Sequence, residues 1–168
     1  MKKRFVVKKG RRIVTRTGNV VFHLARKISR ELRHYCKRVE VVGSIRRGEK
    51  NPVDIDIVCI PKDRLVVEEF MRKKGKFVQG GEKKSRWIIN DVKVELYYSN
   101  SEEWGAALLA YSSEFGAGIG LRIIAKKKGF KLNQHGLFDR KTRKRIAGKT
   151  EREIYSALGR PYKSPRNR

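Results

Sequence analysis

The chain has 168 residues, 39% of them hydrophobic, enough for one domain or one domain with a small appendage. Lys and Arg number 43 against 17 Asp and Glu, a formal net charge of +26. No apolar run approaches the ~18 residues of a membrane span, which excludes membrane-spanning, collagen-like and mucin-like chains. After the MKKR start, Phe5-Val6-Val7 is too short for the apolar stretch of a secretory signal, and none is expected. Cys36 and Cys59 form no Cys-x-x-Cys pair. Neither a metal-ligand pattern nor a disulfide framework is expected, and the expected setting is intracellular and reducing, cytoplasmic or nuclear. A surface of this charge repels itself and calls for an anionic partner, for which nucleic acid is the common candidate. The charge is uneven. Lys2, Lys3, Arg4, Lys8, Lys9, Arg11 and Arg12 crowd the start, and residues 122–168 hold 16 basic residues against Asp139, Glu151 and Glu153.

In chain order, residues 1–17 are basic and partly β-like. Val20, Val21, Leu24, Ile28, Leu32 and Tyr35 follow the 3.6-residue period of an amphipathic helix over 20–36, with Asn19 as N-cap. Residues 39–42 read as a short strand ending at Gly43-Ser44, and 45–52 as loop or broken helix. Residues 53–60 alternate with period two, and Pro61 stops them. A helix is expected over 64–74, weak strands over 76–79 and 86–89, a turn at Asn90-Asp91, and an alternating strand over 92–98. The character changes near residue 99. Helices follow from Ser101 to about Tyr111 and over 116–128, the second closed by Gly129. Residues 132–138 and 142–146 look like short strands. Thr150-x-x-Glu153 is a capping box opening a last helix to Leu158, followed by a solvated basic tail. The division expected is therefore into subdomains 1–98 and 99–168.

Two local features carry chemistry. Asp54 and Asp56 lie on the same face of one strand, about 7 Å apart along it. They read either as the solvent face of an edge strand or as a cation site. Glu95, on the polar face of the 92–98 strand, would bring a third carboxylate if the two strands are neighbours. Oxygen-rich clusters suit Mg²⁺ or Mn²⁺, and two such ions can clamp the attacking and leaving oxygens of phosphoryl transfer. Gly43-Ser44 follows a strand and shortly precedes the acidic pair. Glycine permits close backbone approach to a phosphate, serine adds a hydroxyl, and Arg46 and Arg47 follow at once.

Gly43-Ser44-Ile45-Arg46-Arg47-Gly48-Glu49 followed by Val53-Asp54-Ile55-Asp56 resembles the signature of the family X DNA polymerases, the group that includes DNA polymerase beta. Residues 121–138, with Leu132-Asn133-Gln134-His135-Gly136-Leu137-Phe138, and residues 150–162 resemble the C-terminal subdomain of that family. The resemblance covers residues 10–165 and has the layout of its smallest members. It implies an α/β (α+β) fold, with a nucleotidyltransferase palm on a mixed sheet over 1–98 and a small α+β closing subdomain over 99–168. It implies that Asp54, Asp56 and Glu95 are catalytic and bind two Mg²⁺ ions, with Mn²⁺ as an alternative. Gly43, Ser44 and Arg47, with Arg12, would hold the nucleotide triphosphate, and Tyr111 and Ser112 would line its sugar. Arg122, Lys126, Lys127, Lys128 and Asn133 would contact DNA. The implied partners are primer–template or gapped duplex DNA and a dNTP, with no membrane, and the protein a monomer of viral or microbial source.

The sequence departs from the family at three places. Glu95 stands where the family has a third Asp, which lengthens the side chain by one methylene. Ala110-Tyr111-Ser112-Ser113-Glu114 replaces the usual sugar-lining run. Phe115 and Gly118 replace an Asp and an Asn beside the base. Tyr97, Tyr98, Trp104 and Phe115 could stack on bases but suit packing at least as well, and Trp87 reads as packing. His23, His34 and His135 lack ligand-spaced partners and read as structural or surface groups. The expected activity is template-directed addition of dNTPs to a primer 3′-end, for short-gap filling in DNA repair. The rival readings are a template-independent nucleotidyltransferase acting on RNA or a small molecule, and a non-catalytic basic nucleic-acid-binding protein.

Overall fold

The computed structural model describes the backbone of residues 4–8, 11–15 and 18–168, and side chains from residue 18 onward except at 115 and 117. It is a mixed α+β structure that divides into two compact units, Met1–Tyr98 and Ser99–Arg168.

The first unit opens with an antiparallel hairpin of β1 (Arg4–Lys8) and β2 (Arg11–Thr15). Helix α1 (Gly18–Leu32) then buries Val21, Leu24, Ala25, Ile28 and Leu32, the stripe its periodicity announced. It begins at Gly18 and stops at Leu32, so Tyr35 falls outside it and packs from a turn. There follow β3 (Cys36–Val41), α2 (Gly43–Arg47), β4 (Asp54–Pro61), α3 (Arg64–Lys74), β5 (Lys76–Gly80), β6 (Lys84–Ile89) and β7 (Val92–Tyr98). Asp63 caps α3, its carboxylate accepting from the Leu65 and Val66 amides. The segment expected as loop or broken helix starts with a real turn of helix, α2, closed by Gly48 in the left-handed region. Asn90 and Asp91 both take positive φ, the two-residue geometry that joins twisted antiparallel strands β6 and β7.

The five-stranded sheet runs β3-β4-β7-β6-β5, and β4 and β7 lie parallel at its centre. One sheet face (Ile55, Ile57, Cys59, Trp87, Val94, Leu96) packs on α1 and on Val67 and Met71 of α3 to form the core. The other face carries Asp54, Asp56, Lys93, Glu95 and Tyr97, as period two requires. Cys36 and Cys59 are both free and buried, and their thiols lie close enough across β3 and β4 to perturb each other's ionisation. That contact depends on strand pairing, so their separation in sequence does not reveal it.

A polar chain crosses the core. Trp87 Nε1 donates to Ser85 Oγ at 2.8 Å, Ser85 Oγ and Tyr98 Oη are 2.7 Å apart, and Tyr98 Oη donates to Glu68 Oε1 at 3.3 Å. Ser85 is buried because it serves both rings.

The second unit comprises α4 (Trp104–Ser112), α5 (Phe115–Lys127), β8 (Phe130–Asn133), β9 (Gly136–Asp139), β10 (Arg145–Ala147), α6 (Glu151–Ala157) and a 3₁₀ turn, Pro165–Asn167. Residues 101–103 form a turn, so α4 starts later than its sequence suggests. The expected strand over 132–138 is a hairpin of two strands, broken at Gln134-His135 because Asn133 Oδ1 accepts from the His135 amide at 2.8 Å. The capping box at Thr150 and Glu153 is present. Ala106, Leu109, Leu121, Ala125, Leu137, Ile154 and Leu158 form this unit's own core. The tail is not simply solvated. The Arg168 guanidinium is buried, 2.7 Å from Glu151 Oε1, and lies over the rings of Tyr155 and Tyr162.

Replacing Ser85 with Ala removes one oxygen but strips the buried Trp87 N–H of its acceptor and Tyr98 of a partner. Urea unfolding of Ser85→Ala is expected to show a loss of about 1–3 kcal/mol, against less than about 0.5 for an exposed serine such as Ser101.

Candidate active site

Pairing of β4 with β7 assembles the acidic face. Asp56 lies directly beside Glu95, and Asp54 beside Lys93. β6 adds Arg86 on the other side of Glu95. Lys93 Nζ lies 2.8 Å from Asp54 Oδ2 and 3.3 Å from Glu95 Oε2, so one ammonium bridges the two carboxylates. Arg86 donates to Glu95 Oε1 from Nε at 3.0 Å and Nη2 at 2.8 Å. Tyr97 Oη donates to Asp56 Oδ1 at 3.3 Å.

The two central acids titrate in opposite directions. Burial, then the negative charges of Asp54 and Glu95, push Asp56 up to about 6, against the pull of Lys93 and Tyr97. Burial also opposes ionisation of Glu95, but Arg86 and Lys93 together outweigh it and hold Glu95 below the usual range. Asp56 is therefore the acid left short of positive charge.

Gly43 is tied to this site. Its φ is +63°, and a Cβ there would run into Asp56 Oδ2. Glycine thus serves two purposes, the left-handed turn into α2 and the close seating of Asp56. The neighbouring Ser44 Oγ is buried without a hydrogen-bond partner among the described residues. Such an orphan is costly unless a ligand satisfies it. Arg47 pairs with Glu49, with Nε at 3.1 Å, and Arg46 lies 3.6 Å from Glu40.

Among the described residues no three acidic, histidine or cysteine side chains converge tightly enough to hold a metal ion. Asp54, Asp56 and Glu95 share one face, but Glu95 is turned onto Arg86 and Lys93 instead of onto the aspartates. The donor set nevertheless fits a divalent cation. All three side chains offer hard oxygens, Asp56 is only partly compensated, and a cation already sits between Asp54 and Glu95.

The other expected site residues divide by unit. The Arg12 side chain lies outside the described residues, although its backbone is in β2. The Phe115 side chain is likewise outside them. In the second unit Tyr111 is half-buried on α4. Ser112, expected beside the nucleotide sugar, is fully buried in the last turn of that helix. Arg122, Lys126, Lys127 and Lys128 are exposed at and after the C-terminal half of α5. Asn133, expected on DNA, uses its Oδ1 to hold the β8–β9 turn. His135 Nδ1 is 2.8 Å from Glu103 Oε2, which supports its structural reading. A further basic feature is a stiff turn between β9 and β10. Asp139 Oδ1 accepts from the Lys141 and Thr142 amides, and Arg140, Lys141, Arg143 and Lys144 stand exposed around it.

Sequence reasoning missed Lys93, Tyr97 and Arg86 as members of the acidic site. The period-two signal was sufficient for Lys93 and Tyr97, which share the face of Glu95. Arg86 requires the β6–β7 register, which no local pattern supplies.

Comparison with known proteins decides the family. Over 142 residues the chain is 32% identical to the repair DNA polymerase X of African swine fever virus, Pretoriuskop tick isolate, covering 79% of this chain and 82% of that protein. The chain belongs to the family X DNA polymerases. The protein of the same name from the Vero-adapted Badajoz strain is 29% identical over 164 residues, covering 89% of this chain and 94% of that protein. Residues 118–168 match the family model described as the DNA polymerase beta thumb. The fold is that of Leishmania infantum polymerase beta, solved as a ternary P/T complex, with a TM-score of 0.77 at 16% identity over 92% of this chain and 76% of that one. No helix among the described residues is long and apolar enough to cross a membrane.

The raised Asp56 gives this polymerase a pH signature. The native state keeps a proton that the unfolded chain releases near pH 4. Stability therefore falls as pH rises from about 4 to about 6, by at most about 3 kcal/mol. Asp56→Asn is expected to abolish that slope, making the variant more stable than wild type at pH 7.5 by about 1–3 kcal/mol and no more stable at pH 4. Urea midpoints of both proteins across pH 4–8 measure this.

Proposed function

We propose that the chain adds dNTPs to a primer 3′-end under template direction, releasing pyrophosphate, and that its task is short-gap filling in DNA repair. The observation that carries this reading is the seating of Asp56. It stands beside Glu95 by strand register, it is packed against Gly43 of the Gly-Ser turn, and it is short of positive charge. The family membership and the name of the viral relatives support the same reading.

Asp54, Asp56 and Glu95 would hold Mg²⁺ or Mn²⁺, which supplies Lewis-acid polarisation of the phosphoryl oxygens and neutralises developing charge. The residues of the chain do the rest by positioning. Ser44 Oγ, which has no partner among the described residues, would donate to a phosphate oxygen of the bound nucleotide. Arg47 would exchange Glu49 for the triphosphate, a small loss because that pair is partly exposed. Glu95, kept ionised by Arg86 and Lys93, has Oε2 on Lys93 beside Asp54 and would offer that oxygen to the metal. Tyr97 orients Asp56 through Oδ1.

The second unit would act as the closing thumb. Lys126, Lys127 and Lys128 at the end of α5, Arg122 within it, and the basic turn after β9 present exposed cations for phosphates of primer–template DNA. The protein would work as a monomer.

A Mg²⁺-dependent extension assay on a recessed primer with each of four template bases tests the activity. Wild type is expected to incorporate the complementary nucleotide, and Asp56→Asn to lose at least about 10³-fold in rate, on the scale of removing a main charge-stabilising group. Incorporation that ignores the template base would instead indicate a template-independent transferase. In DNA-binding titrations, Lys126→Ala/Lys127→Ala/Lys128→Ala is expected to lower the slope of log K against log salt by up to about 2.7, at ~0.9 for each phosphate no longer neutralised. An unchanged slope would remove the α5 end from the DNA surface.

A further inference from the structure

Glu95 stands in a row across three strands, with Arg86 directly opposite on β6 and Asp56 directly beside it on β4. Three cations lie within reach of it. Oε1 takes both Arg86 hydrogen bonds, at 3.0 and 2.8 Å, with Lys84 Nζ further off at 4.0 Å. Oε2 faces Lys93 Nζ at 3.3 Å, and that ammonium also touches Asp54 at 2.8 Å. The two oxygens of one buried carboxylate are thus divided, one held by Arg86 on β6 and the other on Lys93, whose ammonium also holds Asp54.

A glutamate has one more freely turning bond than an aspartate, and fixing that bond costs entropy. Arg86 supplies the fixing. Its planar fork grips one oxygen through two N–H groups and so sets the direction of the carboxylate as well as its charge. Lys93 and Lys84 cannot do this. Each is an ammonium point charge, the first shared with Asp54 and the second too distant for a hydrogen bond.

We propose that Arg86 is a positioning residue that anchors Glu95 by Oε1, so that Oε2 is the single oxygen offered toward Asp54 and Asp56 for a divalent cation. The inference rests on the metal-supported reading of the acidic face. It also accounts for the longer acid: Glu95 and Arg86 act as a pair, the extra methylene giving the reach to Arg86 and the fork removing the freedom that comes with it.

The sign of one measurement decides. Arg86 is a positive charge beside a cation site, so its plain electrostatic effect is to repel the cation. Removing it should tighten cation binding if charge is all it contributes, and weaken it if it positions Glu95.

The test is Mn²⁺ binding to the metal-free full chain, read by electron paramagnetic resonance of free Mn²⁺ without DNA or nucleotide. Wild type is expected to bind, and Asp56→Asn to lose that binding. Arg86→Met is expected to weaken binding by about threefold or more, the equivalent of about one freed side-chain rotor. Arg86→Lys keeps the charge, loses the fork and is expected to weaken it too, which preserves the test should Arg86→Met fail to fold in a thermal melt. Lys84→Met removes an equal charge without a hydrogen bond to Glu95 and is expected to leave binding unchanged or tighter. In a Glu95→Asp background, where the shorter acid withdraws from the fork, Arg86→Met is expected not to weaken binding. Unchanged or tighter binding by Arg86→Met in the Glu95 background overturns the proposal. Wild type that binds no Mn²⁺, or Asp56→Asn that binds as well as wild type, overturns the metal reading and this inference with it.

Discussion

Like charges on neighbouring strands repel, and the acidic face of this protein is organised around that fact. Asp54, Asp56 and Glu95 would destabilise the centre of the sheet if left bare, yet β4 and β7 are its central parallel pair. The sheet compensates unevenly. Glu95 receives Arg86 and a share of Lys93, Asp54 receives a direct ion pair with Lys93, and Asp56 receives a tyrosine hydroxyl and only the longer-range pull of Lys93. What remains is a deficit of positive charge localised on one half-buried carboxyl. A site compensated fully by its own side chains would have no electrostatic need of a metal ion. One with no compensation would weaken the fold on which it is built.

The rest of the first unit reads as support for that arrangement. The inward faces of β4 and β7 supply Ile55, Ile57, Val94 and Leu96, all fully buried, so register is held by the core. A one-residue slip would turn the acids inward and the aliphatics out. On the inner side of the same sheet, the Ser85 network ties β6 to β7 and, through Glu68, to α3. Arg86 is adjacent to Ser85 and points the opposite way. The network that fixes β6 from below therefore also fixes where Arg86 stands above it.

Much of this was legible in the sequence, and the reasons differ by residue. The acidic pair, Glu95 and the Gly-Ser turn could be read because period two and glycine conformation are local rules. The capping box at Thr150 is local as well. What escaped was what depends on pairing: Arg86 over Glu95, Cys36 against Cys59, and the bridge of Lys93 between two strands. The tail escaped for a different reason. Its composition is that of a solvated basic end, but Arg168 exchanges water for Glu151 and two tyrosine faces. Burial of Ser112 escaped because it depends on which side of α4 the rest of the second unit packs against.

The departure on the acidic face, Glu95, makes sense together with its neighbours. A Glu in place of an Asp on an unchanged sheet would move the carboxylate outward and free it to turn. An apolar side chain across from it would leave that freedom in place, whereas Arg86 grips one of its oxygens. The charge of that Arg then lowers the local negative potential, and the under-compensated Asp56 beside it restores part of it. Longer acid, opposing guanidinium and under-neutralised aspartate thus form one electrostatic unit. A change at any one of them alters what the other two must supply.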